Sequence, residues 1–508
     1  MAGAGTRSRR LRVGRAWLLI AGFALQIAVW VMIIPGYEAY DEFDHLFRAS
    51  GVTHGQVLAP AHETDGYTTV IADRRLVEAG YAECRSLPYT SHRECAPMSS
   101  AGDGLVVVAS RAAYYNPAYY AAVGWAERLG SGVSAVVITR AVSVALSLAL
   151  IAWAVLFTRS WPDPRAGIRG LFFCATPMLL FSLAIVAPNG LEMAGGLLWW
   201  VGLITLAQAR PLPRAVWPAL ALAGCLLVTL RSLGPVWLVL ATAVTLLWRR
   251  REVVAGVRSH ARAAVASATA VTVAGAASVA WVALEHVRTL SDPPLAPGTG
   301  LAEALRRSAG QVLVMIIQFV AAIPGRNIAP PSVLVVAWML PFVLLLANVR
   351  WRRDARSRRA LLVLIAITLL FPIAFQAALF AKLSYFWQSR YLLPLAVGIP
   401  LLAALAGNPS PLRTTINDLL AAVGVTVAQV VAVGYGLGWY AEHSPLTRQG
   451  TWPLLPAPVL IALSVTGCGL AAAALLAGRR GTAVRDGGGV DLRTSDGVSP
   501  TVPTGALR

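Results

Sequence analysis

At 508 residues, with 57% hydrophobic side chains and only 13% charged ones, and with a mean hydropathy of +0.63, the chain carries more apolar surface than a soluble domain of its size buries. That excludes a soluble globular enzyme and leaves a polytopic membrane protein. The formal net charge of +19 would suit nucleic acid, but the basic residues gather in alternate inter-span loops and most acids fall in the others, the pattern of the positive-inside rule; no nucleic-acid partner is expected.

Residues 1–15 form a basic flank (Arg7, Arg9, Arg10, Arg12, Arg15) that reads as cytoplasmic, ahead of a first span from Ala16 to Pro35 long enough to cross a bilayer. No small-residue cleavage site follows, so the segment reads as a retained span and not a signal peptide. Directly after it, the run from Tyr37 to Arg48 gathers Glu38, Asp41, Glu42, Asp44, His45 and Arg48. In a helix, Asp41, His45 and Arg48 would share one face and Asp44 would sit one turn before Arg48. A solvated helix start gives the same composition, but here the carboxylates would lie at headgroup level.

The loop over residues 36–132 is too long for a simple connection. Its middle is polar and turn-rich, with His62, Glu63, Asp65, Asp73, Arg74 and Arg75. Cys84 and Cys95 both fall in it, on the side expected to be oxidising, and read as a loop-closing disulfide. Cys174, Cys225 and Cys468 lie in apolar spans and read as small core residues. From Tyr114 an amphipathic stretch (Tyr-Tyr-Asn-Pro-Ala-Tyr-Tyr) runs to about Leu129. Interfacial helices on both sides of a small outer cap are expected.

The second span, about Val133 to Phe157, carries Arg140 near its outer end. The third and fourth, about Leu171 to Ala187 and Leu191 to Ala207, form a hairpin turning at Pro188, Asn189 and Glu192. Glu192 is a functional candidate by position or an interfacial cap. The fifth and sixth turn outside at Arg231, and a seventh runs from about Ala263 to Leu284. A second outer segment covers residues 285–331, where the apolar run 301–323 either lies along the interface or is re-entrant. A full crossing there would put the basic stretch Arg350 to Arg359 outside, against the charge rule.

Spans eight and nine, about Ser332 to Val349 and Ala360 to Ala381, lead to the stretch from Lys382 to Tyr391. Lys382 is the only lysine in the chain, and with Arg390 it stands among four aromatics. An aromatic belt with snorkelling cations accounts for this; so does a clamp on a lipid-linked phosphate. Spans eleven and twelve, about Ile416 to Tyr440 and Leu454 to Ala477, complete an even count that returns the C-terminus to the cytoplasmic side. The tail over residues 478–508 has the composition of a disordered segment.

Four short motifs in order carry a resemblance: Asp41-Glu42 with His45 and Arg48 after the first span, Asn116-Pro117-Ala118-Tyr119-Tyr120, Pro188-Asn189, and Ser389-Arg390-Tyr391-Leu392-Leu393-Pro394. Together, over about Ala16 to Gly407, they resemble the bacterial membrane family called domain of unknown function 2142, which is similar to the GT-C class of polyprenyl-phosphate-sugar-dependent glycosyltransferases. Two departures stand out: Ala118 where the family usually has a second proline, and Asn189 where it often has Asp, which removes a metal-binding carboxylate from that hairpin.

The resemblance implies an all-α GT-C-like transmembrane domain over residues 16–477 with about 12 helices, in the plasma (inner) membrane with both termini cytoplasmic. It implies an inverting glycosyltransferase that moves a sugar from a polyprenyl-phosphate donor to a cell-envelope glycan, lipid or protein on the outer face. On that reading Asp41, or else Glu42, is the general base, and His45 and Arg48 orient it and hold its pKa low. Lys382, Arg390 and Tyr391 take the lipid phosphate, and Asn116, Tyr119, Tyr120, Asn189 and Glu192 line the substrate. Mg²⁺ or Mn²⁺ bridging a carboxylate to phosphate is compatible with this chemistry, but nothing in the sequence demands one. The competing classes are a transporter or lipid flippase, which would place ionisable residues near the midplane, and a non-catalytic scaffold for envelope assembly.

Overall fold

The computed structural model describes residues 2–58, 68–87, 95–285, 295–325, 328–351, 354–407 and 411–477, with side chains from residue 14 onward except at 411. His62, Glu63, Asp65, Arg326, Arg352, Arg353 and the tail 478–508 lie outside the described residues. The architecture is α-helical and multi-spanning. Among the described residues, eight helices are long and apolar enough to cross a membrane, or nine if one bent pair counts as a span. The sequence-based figure of about 12 exceeds this because several apolar runs fold as short or broken helices.

The first helix, α1 (Ala2–Ile33), packs along the last, α21 (Ala457–Leu476). Contact is tight at Gly22, where an added Cβ would come within 2.8 Å of the Gly467 carbonyl oxygen. Helices α6 (Val133–Phe157), α9 (Pro188–Gln208), α10 (Val216–Leu230) and α11 (Gly234–Ser259) form the interior. The apolar window of α9 is 94% buried by protein, whereas that of α12 (Ala261–Leu284) is 6% buried. A helix that is apolar all round with little protein cover is one that faces lipid.

The third span is expected as one helix but is two, α7 (Pro164–Cys174) and α8 (Pro177–Leu183), bent by 78°. Pro177 supplies no N–H to continue the ladder, while the Thr176 hydroxyl accepts from Leu179 N at 3.0 Å and starts a new helix. The chain then leaves helical geometry until Pro188 opens α9. The stretch 301–323 is two nine-residue helices, α13 (Leu301–Ala309) and α14 (Val312–Val320), each too short to cross. They are followed by α15 (Ser332–Ala347) and α16 (Ala355–Leu383). The run from Ser389 is also interrupted, into a 3₁₀ turn (Ser389–Leu392), α17 (Leu393–Ala396) and α18 (Gly398–Ala406). The long α19 (Pro411–His443) and short α20 (Pro445–Arg448) precede α21.

The cap over residues 36–132 contains a small sheet as well as helices. Helix α2 (Glu42–Thr53) packs on strand β1 (Thr69–Asp73); α3 (Arg74–Ala79) and α4 (Tyr81–Ser86) follow, then β2 (Ser99–Gly102) and β3 (Leu105–Ala109). The antiparallel order is β1-β3-β2, with Val70 opposite Val108. Val70, Ala72, Val106 and Val108 alternate inward, the period-2 pattern of a half-buried sheet. A Cys84–Cys95 disulfide closes the segment between α4 and β2. Helix α5 (Pro117–Val123) and a 3₁₀ turn (Gly124–Leu129) return the chain to α6.

Candidate functional site

Helix α2 begins with two adjacent carboxylates that have different surroundings. Asp41, at the N-cap position, sits in the left-handed region at φ 55°, which Asp tolerates better than most residues. Its side chain is 39% exposed and accepts from Arg390 Nη2 at 3.1 Å, joining positions 349 apart in the chain. Glu42, the first helical residue, is fully buried. It takes Arg140 Nε at 2.8 Å on one oxygen and Arg140 Nη2 on the other, and accepts Val186 N at 2.9 Å. Arg140 also donates to the carbonyls of Val31, Ile34 and Pro35. The break between α8 and α9 is what presents the Val186 N–H. Glu42 and Arg140 thus lock α1, α2, α6 and the α8–α9 break together.

Around Asp41 the groups are aromatic and cationic. The Arg390 guanidinium lies 4.3 Å from the centre of the Tyr40 ring and 5.6 Å from that of Tyr391. Arg390 is 3% exposed, and its Nε and Nη1 have no hydrogen-bond partner among the described residues. Arg231, at the end of α10, lies 4.7 Å from the Tyr391 ring and 5.9 Å from Tyr115. It donates to Asn189 Oδ1, and its Nε is 3.8 Å from Glu192. Two guanidiniums therefore share the Tyr391 ring.

Burial works against ionisation of Asp41, but the Arg390 guanidinium, with His45 and Arg111 adding to it, outweighs that and holds the carboxyl below the usual carboxylate range. His45 follows one turn later, its backbone N–H donating to Asp41 O at 3.2 Å. Burial lowers its pKa to about 3 against the upward pull of Asp41, so the ring is neutral near pH 7. Its Nδ1 is 2.8 Å from Tyr120 Oη, and Tyr115 packs edge-on against it.

The other sequence candidates lie elsewhere or play structural parts. Arg48 shares α2 with His45 but turns from Asp41 and Asp44. It donates to the carbonyls of Gln56, Val57 and Tyr115 and so pins the cap loop. Asp44 accepts from Arg111 N at 2.7 Å. Asn116 caps α5, accepting Ala118 N at 2.9 Å. Tyr119 is bonded to Ser143 Oγ at 3.0 Å, between α5 and α6. Lys382 is exposed at the end of α16, and no contact ties its ammonium to Arg390 among the described residues. Arg231, Tyr40 and Tyr115 belong to this cluster without having been singled out. A lone arginine at the end of an apolar run, the criterion that selected Glu192, would have selected Arg231 as well.

Among the described residues no group of three or more His, Cys, Asp and Glu side chains comes together around an ion site. Glu42 is closed on Arg140, Asp41 already faces the Arg390 guanidinium, and Glu192 lies beside that of Arg231. This donor set does not fit a protein-held Mg²⁺ or Mn²⁺.

A family profile described as "Predicted membrane protein (DUF2142)" matches residues 24–399. No curated protein matches the chain. Two solved structures are similar over most of its length, both of ArnT from Cupriavidus metallidurans. The form bound to undecaprenyl phosphate covers 90% of this chain and 76% of its own at 15% identity and TM-score 0.46. The apo form covers 93% and 77% at 15% identity and TM-score 0.44. With its family profile matched over most of its length, the chain belongs to the DUF2142 family of membrane proteins.

Proposed function

We propose that the protein is an inverting membrane glycosyltransferase of GT-C type, using a polyprenyl-phosphate sugar and acting at the face that carries the cap. On this reading the cap faces outward from the inner membrane and both termini are cytoplasmic. The observation that carries the proposal is the buried guanidinium of Arg390, paired on one side to Asp41 and left with two unpartnered nitrogens on the other. A buried charged donor without a partner is costly, and a phosphate supplies planar, charge-assisted acceptors that suit a guanidinium. Arg231, sharing the Tyr391 ring, adds a second positive charge for the same anion.

An apolar groove of about 170 Å³ lies beside Ser389, one residue before Arg390, with walls that include Ile316, Phe319, Trp338, Phe342 and Leu392. It is the place for the first isoprene units of a lipid whose phosphate meets Arg390. Asp41 then takes the proton of an acceptor hydroxyl as its oxygen bonds to the anomeric carbon. The bond from that carbon to the phosphate oxygen breaks, and the lipid phosphate leaves with the electron pair, its charge held by Arg390 and Arg231. Phosphate binding draws Arg390 from Asp41 and so raises the basicity of the carboxylate when it is needed. Neutral His45, fixed by Tyr120, shapes the wall behind it.

The experiment is to bind radiolabelled polyprenyl phosphate to the purified protein in nanodiscs. Arg390→Met is expected to lose binding by tenfold or more, about the cost of one charge-assisted contact. Unaltered binding in that variant would remove the phosphate assignment.

A further inference from the structure

Helix α14 takes part in the apolar groove and is also tied to the residues around Arg390. Its Met315, Ile316 and Phe319 line the groove, together with Phe342 of α15 and Leu369 of α16. Phe319 packs edge-on against Trp338 at 6.2 Å. Of the nine residues of the helix, Met315 and Val320 alone are buried. A helix with so little buried surface is held weakly by packing, and its position depends on the bonds at its ends.

Two hydroxyl groups make those bonds. Ser389 Oγ, on the residue before Arg390, donates to the Met315 carbonyl at 2.7 Å. Just past the other end of the helix, the Tyr40 hydroxyl donates to the carbonyl of Ala322. Tyr40 directly precedes Asp41, and the centre of its ring is 4.3 Å from the Arg390 guanidinium. Tyr40, Ser389 and Ala322 are all buried, so both bonds are shielded from water. Helix α14 also packs on the 3₁₀ turn that carries Arg390. A displacement of α14 therefore moves the residue before Arg390 and the ring that lies on its guanidinium.

The geometry points to Tyr40 and Ser389 as positioning residues that couple the apolar groove to the phosphate site at Arg390. The inference rests on the transferase reading and concerns the regulation of its site. Isoprene units in the groove brace α14 against α15 and α16, and the two hydroxyl bonds carry that bracing to the guanidinium. Isoprene and phosphate then favour each other, since a ligand that meets an already ordered site has less ordering left to do, and the coupling is the same from either side. A water-soluble phosphate meets a loosely set guanidinium, and a lipid-linked one meets it in place.

The test is a phosphorus NMR titration of the full chain in nanodiscs with inorganic phosphate, with and without polyprenol, which has the isoprene chain but no phosphate. In the native protein polyprenol should tighten phosphate binding about fivefold, the value of one hydrogen bond. Tyr40→Phe and Ser389→Ala each remove one hydroxyl and should each lower that ratio, and the double variant should bring it to about one. A merely structural role for the two hydroxyls would lower the unfolding temperature and leave the ratio intact. Leu369→Trp, at an exposed position on the groove wall, fills the groove and should remove the effect of polyprenol, which separates occupancy of the groove from a change in the bilayer. Phosphate binding that polyprenol leaves unaltered, or an effect that survives the double variant or Leu369→Trp, overturns the proposal. The outcomes are separable from the parent reading. Phosphate binding without coupling removes the coupling and leaves the transferase standing, whereas no phosphate binding with or without polyprenol removes both. Coupling in a protein that transfers no sugar would leave this inference standing.

Discussion

Asp41 and Glu42 are adjacent carboxylates that each face an arginine from a distant part of the chain, yet their environments are opposite. Glu42 is fully buried, with Arg140 and the Val186 N–H on its oxygens, and Arg140 in turn donates to three carbonyls. Asp41 is partly exposed, sits at a positive φ, and meets an arginine two of whose nitrogens lack partners among the described residues. Saturation of every donor and acceptor marks a structural lock, and a charge pair with donors left over marks a place for a ligand.

Breaking the lock should have the largest effect on folding. Arg140→Met leaves Glu42 buried without a counter-charge, and removal of one partner of such a pair costs about 3–5 kcal/mol. Thermal unfolding in detergent should show the loss, and the Glu42→Gln variant, which keeps hydrogen-bonding capacity, should lose less. Asp41→Asn should leave that unfolding nearly unchanged. Equal destabilisation by Asp41→Asn and Arg140→Met would erase the distinction between the two pairs. Next in size, Cys84→Ser removes a cross-link closing a short loop, worth about 3 kcal/mol in the chain-entropy account. Limited proteolysis of the cap should report the change.

The smallest effect is on pH dependence, and two sites in the cap oppose each other. Burial raises Glu127 to about 7 against its bonds to Ser50 and Thr53. An acid whose folded pKa lies above its unfolded value gives stability that is complete below about 4.5 and fades as pH rises to about 7. His45, a base lowered to about 3, gives stability that is present above about 6.5 and fades as pH falls toward 3. Glu127→Gln should therefore flatten the loss of cap stability between pH 4.5 and 7, read by hydrogen exchange, and leave the acid limb intact.

How much of this is legible in the sequence depends on whether the information is local. The membrane character, the long first loop and the pairing of Cys84 with Cys95 follow from composition and position. The run Leu105-Val-Val-Val-Ala109 carries the β-branched signal of a strand, masked by the helical context around it. The breaks in the third span and after Ser389 are marked by Thr176-Pro177, Pro188 and Pro394, and proline at such places stops a helix and starts another. The contrast between Asp41 and Glu42 has no local signal. Periodicity places Arg48 on the face of Asp41, but three carbonyls outside the helix claim its guanidinium. Which carboxylate is locked depends on Arg140, 98 positions away, and only the fold brings that residue to Glu42 and Arg390 to Asp41.

In the proposed transferase Asp41 acts on the acceptor while its neighbour Glu42 holds the fold. The measurement that addresses it most directly is single-turnover transfer from a labelled polyprenyl-phosphate sugar to envelope acceptors, comparing native protein with Asp41→Asn in nanodiscs. A fall of about 10²–10⁴-fold in the transfer rate is expected, with binding of the lipid phosphate and the unfolding temperature both retained. Transfer at the native rate in Asp41→Asn would contradict it.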